Sequence, residues 1–406
     1  MKVLIAHNTY QHAGGEDVVV QQEGDLLRRM GHEVIEYRRS NHELGVTTLG
    51  GLSALKDTLW SSQSYREIQE LTRDRKPDVA HFHNTFMLIS PASYYACRRS
   101  NVPVVQTLHN YRLWCPRADF YRNHSICELC LGKTPWPGIL HGCYRDSRLQ
   151  TAGVAMMLTM HRSRRTWQSQ VDSFVAPTEF LRTKAVQGGI PADKIVVKPH
   201  FVYPDPGKAQ RNGDYALFVG RLSREKGLVT LLNAWKGLSG LKLKLVGAVG
   251  DDPTVLELIR SRDVNDVEVF GQVSRDAVLE LLKGAAVLIF PSVLYESFGL
   301  SIVEAYACGV PVIASRLGAM AEIVKHGSTG LLFTAADSVD LAEKVKWAVE
   351  HPDEMNRMGL CARQAYSSHY TAEHNYKMLM SIYDKAIAGF AVADLSTSTA
   401  HLAPSL

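Results

Sequence analysis

Pro291-Ser-Val-Leu-Tyr-Glu296-Ser-Phe-Gly299-Leu-Ser-Ile-Val-Glu304-Ala-Tyr-Ala-Cys-Gly309-Val-Pro311 is the stretch around which the chain is organised. The apolar run Ala286 to Phe290 before it predicts a buried strand, and Val312 and Ile313 begin another. Between them the pattern predicts a loop ending at Gly299 and a helix from Leu300 to Cys308, stopped by Gly309 and Pro311. Glycine lets the backbone approach a ligand closely. The N–H groups at the helix start, Phe298 to Ser301, suit an anion such as phosphate. Glu296 falls in the loop and Glu304 on the helix, where a carboxylate can accept hydrogen bonds from a ribose diol. Two glutamates on such a unit are equally compatible with an ordinary solvated surface.

A second loop of the same kind lies upstream. Gly220-Arg-Leu-Ser-Arg-Glu-Lys226-Gly227 follows an apolar run and opens a helix. Arg221 offers a guanidinium fork and Lys226 a point charge, which together can neutralise a diphosphate leaving group without Mg²⁺. Taken alone, two cations in a loop are usually surface residues.

Together these stretches closely resemble the signatures of retaining glycosyltransferases of family four, which have the GT-B fold. The first matches without a gap from Pro291 to Val312, and the second matches the Val-Gly-Arg-Leu…Lys-Gly motif that holds the donor diphosphate. The resemblance implies an α/β chain of two Rossmann-like domains facing each other across a cleft. It implies transfer of a hexose-like group from a nucleotide sugar to an acceptor hydroxyl with retained configuration, as in bacterial-type polysaccharide or glycolipid synthesis. Arg221, Lys226 and Glu296 would be catalytic, Glu296 through hydroxyls of the donor sugar. Gly220, Ser297, Phe298, Gly299, Leu300 and Glu304 would bind the donor, and Val273, within Gly271 to Ser274, would meet the nucleobase. Gly14-Gly15, in the loop between the first strand and a helix, gives close backbone approach and free N–H groups, and would face the donor phosphates or the acceptor. His109, ending a strand in Gln-Thr-Leu-His-Asn, would reach the donor sugar or acceptor without serving as the general base; read alone, it is more often a structural residue. His83 ends a strand in a similar place. No metal cofactor would be needed for catalysis. A nucleotide-sugar epimerase on the same fold, or a zinc-stabilised interaction protein with a degenerate site, are the competing readings.

The 406 residues exceed one compact core, so two domains are expected. Residues 1–203 form the first, with 111–147 as an insertion, and 204–370 the second. A helix over 371–390 returns to the first domain by the same resemblance, and 391–406 is expected to be a disordered tail. Strand and helix patterns alternate throughout, which argues for parallel sheets. Residues 41–64 are poorly patterned, 150–170 read as one long helix, and Tyr203 to Gly213 reads as a linker.

No apolar run is long enough to cross a bilayer, and the apolar start is too short for a signal peptide. The expected location is therefore the cytoplasm, where thiols stay reduced. Residues 1–203 carry 25 Lys and Arg against 18 Asp and Glu, and the remainder carries 20 against 23. That basic half fits a peripheral contact with the inner face of a membrane, or a sugar or lipid-linked acceptor, and equally fits a plain basic surface. No nucleic-acid motif is present. Cys115, Cys127, Cys130 and Cys143 stand apart in the insertion. Four thiolates with a Cys-Glu-Leu-Cys knuckle can close a tetrahedral structural Zn²⁺ site, the alternatives being buried thiols or disulfides. The helix from Gln150 joins apolar residues to Arg162, Arg164 and Arg165, as a membrane-touching or a plain core helix would.

Overall fold

The computed structural model describes residues 1–9, 14–43, 56–209, 213–250, 252–260 and 266–400, with no side chains described beyond 391. Contacts divide the chain into two compact units: Met1–Ala118, Glu128–Lys198 and Tyr376–Leu406 in the first, and Asp119–Cys127 and Pro199–Asn375 in the second.

In chain order the first elements are β1 (Lys2–Thr9), α1 (Gly15–Arg29), β2 (Glu33–Ser40), α2 (Ser62–Arg75), β3 (Val79–Phe82), α3 (Ala92–Arg99) and β4 (Val104–Thr107). Then come β5 (Tyr121–Arg122), β6 (Ser125–Ile126), α4 (Trp136–Leu140), α5 (Arg148–Ser163), α6 (Thr166–Gln170), β7 (Ser173–Ala176), α7 (Glu179–Gln187) and β8 (Ile195–Val197). The second unit adds β9 (Tyr215–Val219), α8 (Leu228–Trp235), β10 (Lys242–Val246), α9 (Pro253–Arg260), β11 (Val267–Gly271), α10 (Arg275–Lys283) and β12 (Ala285–Phe290). It continues with α11 (Leu300–Cys308), β13 (Val312–Ser315), α12 (Gly318–Ile323), β14 (Gly330–Phe333), α13 (Ser338–Glu350) and α14 (Pro352–His369). The last helix is α15 (Ala372–Ala400).

Each unit is built on a six-stranded parallel sheet, ordered β2-β1-β3-β4-β7-β8 in the first and β11-β10-β9-β12-β13-β14 in the second. Parallel strands covered on both faces read as continuous apolar runs. In β9, Tyr215 and Leu217 enter one core cluster while Ala216 and Phe218 enter the other. Leu217 is fully buried, which stabilises the sheet by roughly 2 kcal/mol. On one face of the first sheet, Val3, Ile5, Val79, Val105 and Val175 pack with Val20 and Leu27 of α1 and with Leu379, Ile382, Tyr383 and Ala386 of α15.

Three local expectations are revised. The helix expected over 150–170 is two, α5 and α6, because Arg165 adopts a left-handed conformation (φ 51°). The break lets buried His161 satisfy both ring nitrogens, on Thr166 Oγ1 (3.0 Å) and Leu59 O (2.9 Å). The insertion at 111–147 is not wholly irregular: it contains the β5–β6 hairpin and α4. Residues 391–400, expected as tail, continue α15, while 401–406 lie outside the described residues, as do parts of the 41–64 and 203–213 segments.

Candidate active site

Ligands of open parallel sheets bind beyond the carboxyl ends of the strands, where the strand order reverses. In the second unit that reversal lies between β9 and β12. The end of β9 carries Gly220 and Arg221, and the end of β12 carries the loop from Pro291 to Gly299. The two loops are joined through their backbones. Val293 N–H donates to Glu225 O (3.1 Å), and Ser292 Oγ lies 3.3 Å from the same oxygen. Gly227 makes this approach possible: its φ is +81°, and a Cβ there would stand 1.9 Å from Pro291 O.

Joining the loops brings together side chains far apart in sequence. Lys226 Nζ lies 2.7 Å from Glu296 Oε1, and Ser292 Oγ donates to that same oxygen at 2.7 Å. The Lys226 charge is thus shared with a carboxylate. Arg221 is different: its side chain is 63% exposed and its nearest anion, Glu225 Oε1, is 3.9 Å away. Most of its donors therefore face outward from the strand end.

The start of α11 has the features an anion needs. Its N-cap is Gly299 (φ 110°), no side chain caps it, and no acidic residue occupies its first turn. One turn further on, Glu304 is nearly buried and accepts a hydrogen bond from Arg275 Nε at 3.2 Å. Burial pushes the Glu304 carboxyl above its usual range, and the Arg275 charge opposes that rise. Arg275 also donates to Tyr203 O (3.0 Å) from the first position of α10, after Gly271, Val273 and the N-cap Ser274. Sequence reading missed both Arg275 and Ser292. Arg275 acts 29 residues from Glu304, where no local pattern marks it; Ser292 stands inside the quoted stretch, but its contact with Glu225 spans 67 residues.

In the first unit the order reverses between β1 and β3. Gly14 and Gly15 start α1 after the end of β1, but the Gly14 N–H expected to be open is not. It donates to Asp17 Oδ2 (2.8 Å) in a capping box, and Glu16 and Asp17 make this helix start acidic. Asp17 Oδ1 also meets buried His7 Nε2 at 2.9 Å. Burial, with Asp17 adding to it, pushes the Glu16 carboxyl up to about 8. The two helix starts thus differ in kind: α11 is open to an anion, and α1 presents carboxyl groups. His109, beyond the end of β4, lies with its Nε2 3.0 Å from His83 Nδ1.

Three cysteines of the insertion, Cys115, Cys130 and Cys143, sit on tight turns, and Cys127 directly follows β6, its N–H donating to Phe120 O. Cys115 N–H donates to Tyr111 O, Ala118 N–H to Cys115 O, Lys133 N–H to Cys130 O and Cys143 N–H to Gly138 O. Cys115 and Cys130 are buried, and Cys127 and Cys143 half-buried. Arg162 of α5 lies close enough to Cys130 for its charge to be felt, and it donates to Leu113 O (2.8 Å) and to Lys133 O. That ties the insertion to α5.

The family described as Glycosyltransferase Family 4 matches residues 13–205, and Glycosyl transferases group 1 matches residues 204–365. Glycogen synthase of Mycobacterium tuberculosis is 30% identical over 319 residues, covering 75% of this chain and 68% of that protein. Alpha-maltose-1-phosphate synthase of the same organism is 33% identical over 196 residues, covering 44% of this chain. The chain spans about half the length of this synthase (49%). Among solved structures, Anabaena HepE in complex with UDP and glucose has a TM-score of 0.66 at 19% identity, over 95% of this chain and 100% of that one.

Proposed function

The chain belongs to glycosyltransferase family 4 and has the GT-B fold, and on that footing we propose that it transfers a sugar from a nucleotide-diphosphate donor to an acceptor hydroxyl with retained configuration, in polysaccharide or glycolipid synthesis. The observation that carries this reading is the uncapped, acid-free start of α11 beside the loop of Arg221 and Lys226, at the strand-order reversal of the second sheet.

The donor diphosphate takes the N–H groups of Gly299 to Ser301 and the Arg221 fork. Lys226 stabilises the charge that develops as the sugar leaves. The Lys226–Glu296 bond supports a role for that carboxylate as the acceptor for hydroxyls of the donor sugar. Glu304 presents its second oxygen to the ribose while Arg275 holds the first. Ser297, Phe298, Leu300, Gly220 and Val273 complete the donor side as backbone and packing contacts. On the first unit, Gly15 and His109 serve the sugar or its acceptor. The departing phosphate takes the acceptor proton, so no protein nucleophile is required. Two cations and a helix start already answer the diphosphate charge, so Mg²⁺ is not required.

A panel of UDP-, GDP- and ADP-sugars tests this. One member should raise the melting temperature and release nucleoside diphosphate only when an acceptor is supplied, equally with EDTA or Mg²⁺. Failure of every nucleotide sugar to bind, or turnover that collapses in EDTA, would refute the corresponding part.

Structural zinc at Cys115, Cys127, Cys130 and Cys143 belongs to the same reading. The donor set is four thiols within one short insertion, three of them on tight turns, a set that suits tetrahedral zinc. Purified protein is expected to contain about one zinc per chain, the ratio of one four-ligand site. Cys127→Ser or Cys130→Ser should lose it and make residues 111–147 protease-sensitive. Four alkylatable thiols in metal-free but protease-resistant protein would end the zinc assignment.

A peripheral membrane contact is the last part. No helix among the described residues is long and apolar enough to cross a membrane. Trp136, Leu140 and Leu149 are exposed on α4 and α5, two helices in contact, near exposed Arg145 and Arg148. Co-sedimentation with anionic vesicles should fall in Trp136→Ser/Leu140→Ser, and unchanged sedimentation would remove this contact.

A further inference from the structure

Beneath His109 the first unit buries an unusual set of titratable groups: Glu23 of α1, His81 and His83 of β3 and its end, Lys198 after β8, and Tyr383 of α15. Lys198 Nζ is bonded to Glu23 Oε1, and both side chains are wholly inaccessible. Glu23, His81 and His83 bring their ligand atoms within 4.8 Å of one another, as a metal centre would. Two observations speak against a metal. His81 has both ring nitrogens engaged, Nδ1 with Tyr383 Oη and Nε2 with Thr107 Oγ1, each at 2.7 Å. A cation would also sit beside the Lys198 ammonium. The cluster is better suited to placing hydrogens.

His83 is its exit. Its Nε2 faces Glu23 Oε2 at 3.6 Å and has no hydrogen-bond partner among the described residues, and its Nδ1 meets His109 Nε2 at 3.0 Å. Burial, with His81, His109, His7 and Lys198 around it, holds its pKa well below the usual value, so the ring is neutral and carries one hydrogen. A hydrogen on Nε2 is attracted to the carboxylate of the Glu23–Lys198 pair, whereas a lone pair there is repelled by it. With Nε2 protonated, Nδ1 of His83 can only accept. His109 must then donate from Nε2, leaving its lone pair on Nδ1.

We propose that His83 is a positioning residue that fixes His109 as the Nε2–H tautomer, so that His109 Nδ1 is the acceptor for a sugar hydroxyl. The tautomer rests on the His83–His109 and His83–Glu23 geometry together with the neutral His83 ring; only the sugar contact rests on the glycosyltransferase reading. The Glu23–Lys198 pair supplies the anion that biases His83, and Tyr383 with Thr107 locks the neighbouring His81.

Long-range ¹H–¹⁵N correlation spectra of the full chain at pH 7.5, with His109 identified by its loss in His109→Asn, read the tautomer directly. Nε2–H is expected, and Nδ1–H would overturn the proposal. His83→Gln keeps a carbonyl acceptor and should retain both the tautomer and most of the turnover. His83→Phe removes the acceptor; His109 should then populate both tautomers, and kcat should fall about tenfold or more, with UDP affinity by calorimetry unchanged. An unchanged His109 spectrum in His83→Phe would also overturn it. Should His83→Phe not fold, the wild-type and His83→Gln spectra decide. Since the spectra need no substrate, a protein inactive as a transferase still answers the tautomer question.

Discussion

Lys226→Ala is expected to lower kcat roughly a hundredfold or more, the scale seen when one preorganised transition-state donor is lost. The loss has two sources. The leaving diphosphate loses a cation, and Glu296, whose side chain is only 13% exposed, keeps Ser292 as a partner but loses its counter-charge. The coupling makes the prediction sharper than a simple deletion. Residues that act as a unit are not additive. Glu296→Gln should also be slow, and the double variant should be little worse than Lys226→Ala alone. Arg221→Ala should behave differently: Arg221 is exposed and has only a long contact to Glu225, so its removal should weaken nucleoside diphosphate binding with the remaining pair intact. Steady-state kinetics on the four proteins, with melting temperatures to exclude unfolding, distinguish these outcomes. Normal turnover in Lys226→Ala would remove it from the mechanism, and strict additivity would separate it from Glu296.

Gly227→Ala should inactivate the protein without touching a polar group. The left-handed backbone costs a non-glycine residue about 1–2 kcal/mol. The larger effect is steric: the new methyl would lie 1.9 Å from Pro291 O, which is backbone and has nowhere to turn. The two loops must then separate, breaking the Val293–Glu225 bond and carrying Glu296 away from Lys226. Thermal unfolding should show a lowered transition, and activity should fall at least as far as in Lys226→Ala. Gly14→Ala is the control. Its φ is −132° and none of the described residues lies within 4 Å of the added methyl, so stability should hardly change. Equal behaviour of the two variants would show that Gly227 does not hold the loops together.

These cases mark what could be read from the chain and what could not. Parallel α/β architecture was legible because each strand is an apolar run bounded by turn residues. The start of α11 was legible because Gly299 and Gly309 punctuate it. The strand β14 and helix α12 escaped notice; Gly330–Phe333 is short, and Gly318–Ile323 opens with glycine, so neither carries a long period. The Lys226–Glu296 contact joins residues 70 apart, and Lys198–Glu23 joins residues 175 apart. Such pairs follow from sheet order, which no window of sequence contains. Gly14 was misjudged for a local reason: Asp17, three residues on, reaches back to its N–H and closes the position that looked open.

The return of α15 to the first sheet bears on how the chain is made. A ribosome releases residues 1–198 long before Leu379, Ile382, Tyr383 and Ala386 emerge. Until then Val3, Ile5, Val79, Val105 and Val175 lack part of their cover, and His81 lacks the Tyr383 hydroxyl. The uninterrupted stretch Pro199–Asn375, by contrast, contains its whole six-stranded sheet and can close its core during synthesis. Nascent chains stalled after residue 375 should therefore protect the later sheet from protease first and leave the earlier one a client for chaperones, so that the half synthesised first matures last.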